Sequence, residues 1–381
     1  MDKLEQARAE IDRIDGEMAK LFESRMRAVE AVSEYKQAHG LPVLDADREA
    51  EVIKQAANRI DDEEIRSYYI TFLKNNMKLS RNFQQKRLQG MSIAYCGIEG
   101  SFASIAAEHI FPQAHLVPCP SFAQAWQAAA NGTCDCAVLP LENSSNGEVG
   151  QVMDLMMFDR ALYVNHVYAL PVVQNLLGIK GSHTADITRV VSHEQALGQC
   201  AAFLEEHGIT PVASANTAIA AQQVAQTGDV HTGAIASEQT AKLYGLEVLE
   251  RHINGSESNI TRFAVFSRVP TDSKDKENGD KEKNSILLFR VIDQVGALAK
   301  AMNMIALYGY NMRVLRSRPT KDWGFQYYFY IELEGDINSE SGRQMCRQLS
   351  SCCEGIRIGG TYRRSDADAT SFHGSQIKRA F

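Results

Sequence analysis

Two cations interrupt an apolar stripe in the N-terminal segment. Apolar residues recur there at alternating steps of three and four, which is typical of one face of an α-helix. They are Leu4, Ala7, Ile11, Ile14, Met18 and Leu21, and they predict a long buried stripe. The next step reaches Arg25, so a guanidinium occupies a position that the pattern assigns to the core. A buried guanidinium without a partner is unfavourable, and we therefore expect Arg25 to meet an anion.

Lys36 lies on nearly the same helix face as Arg25, within about 20° of it and about 16 Å further along the axis. Two long cationic side chains at that separation can hold a small dianion between them. Arg8 is a third candidate, but it lies about 25 Å from Arg25 along the helix and about 100° away in azimuth. It cannot share the pocket within one chain, so we expect it to come from the second subunit of a dimer.

Polar side chains on two further predicted helices are placed to complete such a site. Asp45, Arg48 and Glu49 share one face of the first turn of the second helix, where Asp45 also suits the N-cap. Ser80 and Gln84 share one face near the end of the third helix. From spacing alone, however, the favoured interpretation is a helical hairpin that dimerises as a coiled coil, with its charges solvated or paired within a helix.

Four short motifs in the middle of the chain place polar side chains beside predicted strands. They read GIEGSFASIAA from residue 97, LPLENSSNG from 139, SHEQALGQC from 192 and NITRFAVFS from 259. The residues that they offer for chemistry are Glu142, Asn143, Ser144, Gln195, Thr261, Arg262 and Phe263. Each motif alone also fits a structural role, as a strand-to-helix turn, an Asx-rich turn, a helix cap or a strand residue.

The elements that must position these residues fall into three folded segments. Residues 1–90 are charged and periodic, which predicts an all-helical domain. Residues 91–268 alternate short apolar runs with Ala-rich helical stretches, as in α/β domains. A charged linker at 269–283 leads to residues 284–365, whose order β-α-β-β-α-β predicts a small ferredoxin-like α+β domain, and a polar tail follows at 366–381.

Composition excludes several classes of protein. Lys and Arg number 40 against 47 Asp and Glu, and the resulting charge of −7 disfavours nucleic-acid binding. No apolar run is long enough to span a membrane, and the N-terminus lacks the apolar core of a signal peptide. None of the eight cysteines forms a C-x2-C pair, so we expect free thiols, no metal site and a cytoplasmic location.

The helical segment resembles the AroQ-type chorismate mutase domain. The resemblance rests on the order R-x16-R-x10-K, then P-V-x-D-x-D-R-E, then S-x3-Q, and it covers residues 1–88. It implies that the two carboxylates of chorismate are bound by Arg8 from the partner chain, Arg25 and Arg48.

The same resemblance assigns the remaining polar residues of the helices. The ether oxygen of chorismate would accept hydrogen bonds from Lys36 and Gln84, with Gln85 as the alternative one residue further on. The ring hydroxyl would contact Asp45 and Glu49, and Ser80 would line the pocket. A Claisen rearrangement suits such a site, because it needs a flexible dianion held in its reactive chair and donors at the oxygen that gains charge.

Residues 91–268 resemble prephenate dehydratase. The patterns P-x-E-N-[ST]-x-x-G, S-H-x-Q-x-x-x-Q-C and T-R-F are all intact. The resemblance implies two α/β lobes, similar to periplasmic binding proteins, with the site in the cleft between them and Thr261 as its essential threonine. We interpret Thr261 as a hydrogen-bond donor to the departing hydroxyl oxygen.

The same resemblance implicates the neighbours of these motifs in substrate binding. Asn143, Ser144, Gln195 and Phe263 are the expected orienting and lining residues. Arg262 is either a carboxylate ligand or a structural residue, and Glu142 is either a contact or a cap. The loop at 97–103 departs from the family pattern, with Ile98 where proline is usual and Ala103 where a hydroxyl is usual.

Residues 284–363 resemble an ACT domain, a regulatory module that pairs across subunits and binds an amino acid at the interface. The candidate effector-binding residues are Gly296, Ala297, Leu298, Asn311, Ser317 and Arg318. The chain has Arg316 where the family pattern has glutamate. A cation there should repel the ammonium group of phenylalanine, so we expect weakened phenylalanine inhibition or another ligand.

Over nearly its whole length, the chain resembles the bifunctional chorismate mutase/prephenate dehydratases of phenylalanine biosynthesis. The resemblance implies conversion of chorismate to prephenate and of prephenate to phenylpyruvate, without a cofactor, in a homodimer or homotetramer. The alternative is an active mutase whose dehydratase-like and ACT-like modules serve only as ligand-sensing domains.

Overall fold

The computed structural model describes residues 2–255, 259–270, 283–320 and 326–365. Most of the predicted charged linker, residues 271–282, and the whole predicted tail, residues 366–381, lie outside the described residues. Contacts divide the chain into two compact units, residues 1–92 and 93–381. None of the described helices is long and apolar enough to cross a membrane.

The first unit consists of three helices, as the periodicity predicts. They are α1 (Lys3–Ala38), α2 (Ala46–Ala57) and α3 (Glu63–Gln89). Asp45 caps α2, since its carboxylate accepts a hydrogen bond from the Arg48 backbone N–H at 3.0 Å. Asp62 caps α3 in the same way. Both caps satisfy backbone donors that would otherwise lack partners at the start of a helix.

The apolar stripe of α1 is not buried within one chain, and that part of the sequence prediction is wrong. Ile11 is 56% exposed and Leu21 is 70% exposed, and the only buried residue of α1 is Ser33. A period of 3.6 residues identifies which face is apolar, but it does not say which molecule covers that face.

The second unit contains the two predicted α/β lobes. The first lobe carries β1 (Ser92–Cys96), β2 (His115–Cys119), β3 (Cys136–Asn143), β4 (Gly147–Glu148), β5 (Tyr163–Pro171) and β11 (Ile260–Ser267), with α4 (Phe102–Ile110), α5 (Phe122–Ala130) and α6 (Gly150–Phe158). β1 and β3 pair in parallel, and β11 runs antiparallel between β3 and β5. The chain thus leaves this lobe after β5 and returns to it through β11.

The second lobe is a separate five-stranded sheet. Its strands are β6 (Asn175–Gly178), β7 (Arg189–His193), β8 (Thr210–Ser214), β9 (Thr232–Ala236) and β10 (Glu247–Glu250). They are arranged in the order β10-β6-β9-β7-β8. Its helices are α7 (Glu194–Gln199), α8 (Ala201–Glu206), α9 (Thr217–Thr227) and α10 (Glu238–Tyr244). Parallel pairing of β7 with β8 and β9 places the loops after these strands at one edge of the sheet.

The C-terminal segment has the predicted order β-α-β-β-α-β. It comprises β12 (Lys283–Val291), α11 (Ala297–Leu307), β13 (Met312–Pro319), β14 (Tyr327–Glu334), α12 (Glu340–Leu349) and β15 (Cys353–Ser365). The strands are arranged β13-β14-β12-β15, all antiparallel, and this is the ferredoxin-like arrangement.

One continuous sheet joins this segment to the first lobe, because β15 pairs in parallel with β5. Gly360 makes the junction possible. Its φ is +137°, and a Cβ at this position would lie 2.2 Å from the backbone oxygen of Val164. The predicted boundary between these two domains stays a prediction, since the segment and the lobe share a sheet and a core.

Candidate active sites

Arg25 is a half-buried cation without a carboxylate partner among the described residues. Its guanidinium donates to Asn76 Oδ1 at 3.1 Å and to the hydroxyl of Ser80, and both acceptors are neutral. Burial lowers the pKa of this guanidinium, since it disfavours the charged form. Other arginines of the helical unit, such as Arg13 and Arg81, are paired with glutamates. Arg25 is therefore suited to bind an external anion.

One face of α3 supports Arg25. Asn76, Ser80 and Gln84 follow one another at steps of four and are all buried, whereas Gln85 is exposed. Gln84 Oε1 has no hydrogen-bond partner in the described part of the chain. Asn76 is not part of the sequence motifs, although one further step of four before Ser80 reaches it.

Apart from Arg8, the remaining candidates of the helical unit have partners within the chain. Lys36 Nζ donates to the backbone oxygen of Val43 at 2.6 Å. Glu49 pairs with Arg81, a residue that sequence analysis did not consider. Arg48 is exposed and pairs with Glu51, and Arg8 is exposed. Asp45 serves as the cap of α2.

A cleft of about 860 Å³ is lined by residues of both α/β lobes. Of the predicted dehydratase residues, four line it: Asn143, Gln195, Thr261 and Phe263. The unusual loop residues Ile98 and Ala103 line it as well. No arginine or lysine is present among the described residues of its wall, and Glu148 and His193 are its titratable residues besides Cys96.

Asn143 and Thr261 form the polar centre of the cleft. They are cross-strand partners on β3 and β11, and Asn143 Nδ2 lies 2.9 Å from Thr261 Oγ1. The orientation of the amide is fixed, because Oδ1 accepts from the backbone N–H groups of Ser145 and Asn146. The amide nitrogen must therefore donate to Thr261, which leaves the hydroxyl proton of Thr261 available to another acceptor.

A chain of amides extends this pair towards the second lobe. Asn143 Nδ2 also lies 2.8 Å from Asn259 Oδ1, and Asn259 Nδ2 donates to Gln199 Oε1 at 2.9 Å. Gln174 Nε2 reaches the same Gln199 oxygen at 3.4 Å. Asn259 is buried. Asn259 opens the motif NITRFAVFS, but its partners Asn143 and Gln199 belong to other motifs, and Gln174 lies outside all four motifs, so the sequence did not indicate these contacts.

Helix N-termini supply further donors at the cleft wall. Ser101 caps α4 and Asn216 caps α9, and both residues line the cleft. The first backbone N–H groups of a helix are partly unsatisfied and favour negative charge. The cleft therefore combines neutral donors with the positive ends of two helix dipoles.

Glu142, Arg262 and Ser144 do not line the cleft. Arg262 binds Glu142 at 2.7 Å and Glu332 of β14 at 2.8 Å. Burial alone would lower the pKa of Arg262, but the charge of Glu332 and the hydrogen bonds that Arg262 donates to both glutamates raise it above the ordinary value. Ser144 Oγ accepts from the backbone N–H of Ile260 at 2.9 Å.

A second cavity, of about 780 Å³, lies in the C-terminal segment. Gly296, Ala297, Leu298 and Ser317 line it. Neither Asn311 nor Arg318 is among its lining residues. Asn311 Nδ2 donates to Glu334 at 2.7 Å, and Arg318 binds Asp154 of α6 at 3.0 Å.

Arg316 does not line this second cavity either. Its guanidinium lies 3.5 Å from Glu148 and 3.8 Å from Glu142. Alternation along β13 places Arg316 and Ser317 on opposite faces of the strand. Within one chain, the charge of Arg316 is thus directed to two carboxylates of the first lobe.

Family models match both catalytic modules. Prephenate dehydratase matches residues 93–271, and chorismate mutase type II matches residues 7–85. Arogenate dehydratase/prephenate dehydratase 1 of Arabidopsis thaliana is 34% identical over 284 residues, which is 71% of this chain and 71% of that protein. A bifunctional chorismate mutase/prephenate dehydratase of Aquifex aeolicus is 28% identical over 370 residues, 95% of this chain and 98% of that protein.

Two solved structures resemble the second unit. A prephenate dehydratase from Arthrobacter aurescens in complex with L-Phe has a TM-score of 0.66 at 24% identity and covers 76% of this chain and 96% of that chain. A structure described as GqqA, a novel type of quorum quenching acylase, has a TM-score of 0.65 at 32% identity. It covers 72% of this chain and 98% of that chain.

The chain belongs to the prephenate dehydratase family. Its type II chorismate mutase domain precedes the dehydratase domain. The chain is thus a bifunctional enzyme of phenylalanine biosynthesis with chorismate mutase and prephenate dehydratase activities. The alternative, in which the second module only senses a ligand, is disfavoured by these matches.

Proposed function

We propose that the helical unit binds chorismate through Arg25, with Lys36 and Gln84 directed at the ether oxygen. The support is the half-buried guanidinium of Arg25, which lacks a carboxylate partner among the described residues. A charge-assisted hydrogen bond to a substrate carboxylate would compensate its desolvation. The other carboxylate contacts come from Arg48 of the same chain and from Arg8 of a second copy. Asp45 and Glu49 contact the ring hydroxyl, and Ser80 lines the pocket.

The exposed stripe of α1 supports a homodimer. Five of its apolar side chains are between 42% and 70% exposed, namely Leu4, Ile11, Ile14, Met18 and Leu21. A contiguous apolar face of this kind is typical of an interface. Pairing of two α1 helices buries it and brings Arg8 of one copy towards Arg25 of the other.

In the dehydratase cleft, the Thr261 hydroxyl donates a hydrogen bond to the oxygen that leaves the ring of prephenate. The observation that carries this proposal is the fixed Asn143 amide, which donates to Thr261 and leaves the threonine proton free. As the C–O bond breaks and the ring carboxylate departs as CO2, negative charge grows on the leaving oxygen, and a positioned donor stabilises that charge. The departing hydroxide takes up one proton from solvent, so the products are phenylpyruvate, CO2 and water.

The substrate carboxylates face donors that carry no formal charge. The N-termini of α4 and α9 and the side chain of Gln195 lie at the cleft wall. Such groups bind anions without the full desolvation cost of a buried guanidinium. Asn143 acts as an orienting residue through Thr261, and Phe263 supplies apolar wall. Glu142, Arg262 and Ser144 act from outside the cleft.

Asn143→Asp tests the direction of the central hydrogen bond. The substitution replaces the amide donor with a carboxylate of nearly the same shape. This carboxylate accepts a hydrogen bond from the Thr261 hydroxyl, which then no longer donates to the substrate. We expect kcat for prephenate to fall about 10²-fold or more, with chorismate consumption unchanged. Unchanged phenylpyruvate formation by this variant would remove the Asn143–Thr261 hydrogen bond from the mechanism.

We propose further that an amino acid binds in the second cavity, with phenylalanine as the first ligand to test. The cavity is lined by the G-A-L turn and Ser317, and Val295 beside it is fully exposed, as expected of a surface that a second copy covers. Because Arg316 is directed to the first lobe, its charge is not expected to repel this ligand.

Two variants separate these roles in calorimetric titration with phenylalanine. Ser317→Tyr fills the cavity and should weaken binding at least about tenfold, whereas Arg316→Ala should change affinity by less than about threefold. If Arg316→Ala instead tightened binding strongly, the repulsion expected from the sequence would be correct. If Ser317→Tyr left binding unchanged, the ligand would occupy another site.

A further inference from the structure

A buried polar cluster connects the dehydratase strands to the C-terminal segment. Its members, called the Arg262 cluster below, are Arg262, Glu142, Glu332, Tyr330 and Tyr362. Glu332 binds Arg262 in a bidentate manner, at 3.1 and 2.8 Å. Its two oxygens also accept from the hydroxyl groups of Tyr330 and Tyr362, each at 2.7 Å. Tyr362 is also 2.9 Å from the Arg262 guanidinium.

The Arg262 cluster lies directly behind the polar centre of the cleft. Arg262 follows Thr261 on β11, and Glu142 precedes Asn143 on β3. The two strands pair Thr261 with Asn143 and Arg262 with Glu142. The first pair lies in the cleft, whereas the second meets Glu332 from the C-terminal segment. The same two strands therefore carry the substrate-facing pair and the cluster on adjacent residues.

The strand pairing is irregular at this point. The register between β11 and β3 shifts between Arg262 and Phe263, as in a β-bulge. A bulge re-aims neighbouring side chains and weakens the ladder locally, so its geometry needs support from elsewhere. The bidentate contact with Glu332 restrains the Arg262 side chain immediately beside the shift.

Glu332 has few alternatives to this arrangement. Its side chain is 6% exposed, and a buried carboxylate without a cation is strongly disfavoured. Arg262 in turn faces two carboxylates, and the guanidinium of Arg316 lies 3.8 Å from one of them, Glu142. Charges on β3, β11, β13 and β14 thus hold one another in a single arrangement.

We infer that Glu332, acting through Arg262, is a positioning residue for the dehydration step, so that the C-terminal segment helps to build the dehydratase site. The inference rests on the proposed role of Thr261. The Glu332 carboxylate on β14 fixes the Arg262 guanidinium on β11, and Arg262 in turn fixes the bulged part of β11. This strand then holds the Thr261 hydroxyl against the Asn143 amide. A displacement of about 1 Å at a catalytic group can reduce the rate about 10²-fold.

Glu332→Gln in the full chain is the test, because it preserves the shape and removes the charge. We expect kcat for prephenate to fall about 10- to 100-fold with KM changed less than about threefold, since the cleft wall itself is intact. Glu332→Asp, which keeps the charge, should recover part of the rate. Tyr362→Phe, which removes one donor and leaves the ion pair, gives a second and milder variant if Glu332→Gln fails to fold.

Asp336→Asn is the matched control. Asp336 forms another nearly buried ion pair of the same segment, with Lys283 at 2.9 Å, and this pair is separate from the Arg262 cluster in the part of the chain that the structure describes. Asp336→Asn should lower the melting temperature, as Glu332→Gln does. At a temperature where both variants are folded, it should not cause a comparable loss of kcat.

If Glu332→Gln and Asp336→Asn lose kcat equally, the cluster only stabilises the fold and the inference is overturned. An unchanged kcat in folded Glu332→Gln would overturn it as well. Thr261→Ala in the same assay distinguishes a failure of the underlying proposal. If that variant retains full turnover, the role of Thr261 is wrong; if it is inactive while Glu332→Gln is fully active, only the positioning role fails.

Discussion

Thr261→Ala should make the enzyme release prephenate from chorismate instead of phenylpyruvate. The substitution removes the hydroxyl that Asn143 Nδ2 holds at 2.9 Å, and with it the donor to the leaving oxygen. Loss of one well-placed donor to developing charge lowers kcat about 10²- to 10³-fold. The measurement is the rate of phenylpyruvate formation from supplied prephenate, with mutase turnover recorded on the same preparation.

Thr261→Ser and Thr261→Val are the controls for this result. Serine keeps the hydroxyl and should retain most of the activity, whereas valine keeps the shape and should be as slow as alanine. Activity that follows shape rather than the hydroxyl would show that Thr261 only packs against the substrate.

Arg25→Ala should abolish the mutase reaction while dehydratase turnover of supplied prephenate continues. The variant loses the cation assigned to a substrate carboxylate and leaves Asn76 and Ser80 without their donor. Removing one partner of a buried charged contact costs about 2–5 kcal/mol, so we expect kcat/KM for chorismate to fall about 30- to 5,000-fold. Chorismate consumption is followed directly.

Arg27→Ala is the matched control on the same helix. Arg27 pairs with Glu23 on the surface, where both side chains are more than 60% exposed, and its removal should leave the mutase rate unchanged. Loss of both activities in Arg25→Ala would show that the two modules do not act separately, as we propose that they do.

Local patterns predicted the helices and the order of strands well, because helix period, strand alternation and caps are encoded by near neighbours. Arg25 illustrates this success, since the step that assigned it to the core face matches its half-buried position. The stripe before it was predicted as buried and is exposed in one chain. The sequence pattern identifies an apolar face but not the partner that covers it.

Long-range partners could not be predicted from the sequence. From the sequence, Arg262 was either a carboxylate ligand or a structural residue, and in the structure it does not line the cleft but meets Glu332. Period-2 alternation predicts that neighbours such as Thr261 and Arg262 separate. Nothing in the local sequence indicated Glu332, because this partner is 70 residues away.

The most direct test of the whole account is a time course of the unmodified chain with chorismate. Proton NMR at neutral pH follows every species without an acid step, which would itself convert prephenate to phenylpyruvate. We predict that chorismate disappears, prephenate rises and falls, and phenylpyruvate accumulates with one CO2 released for each molecule formed. Accumulation of prephenate as the final product would contradict the account, because it would leave the cleft around Thr261 without the dehydratase chemistry assigned to it.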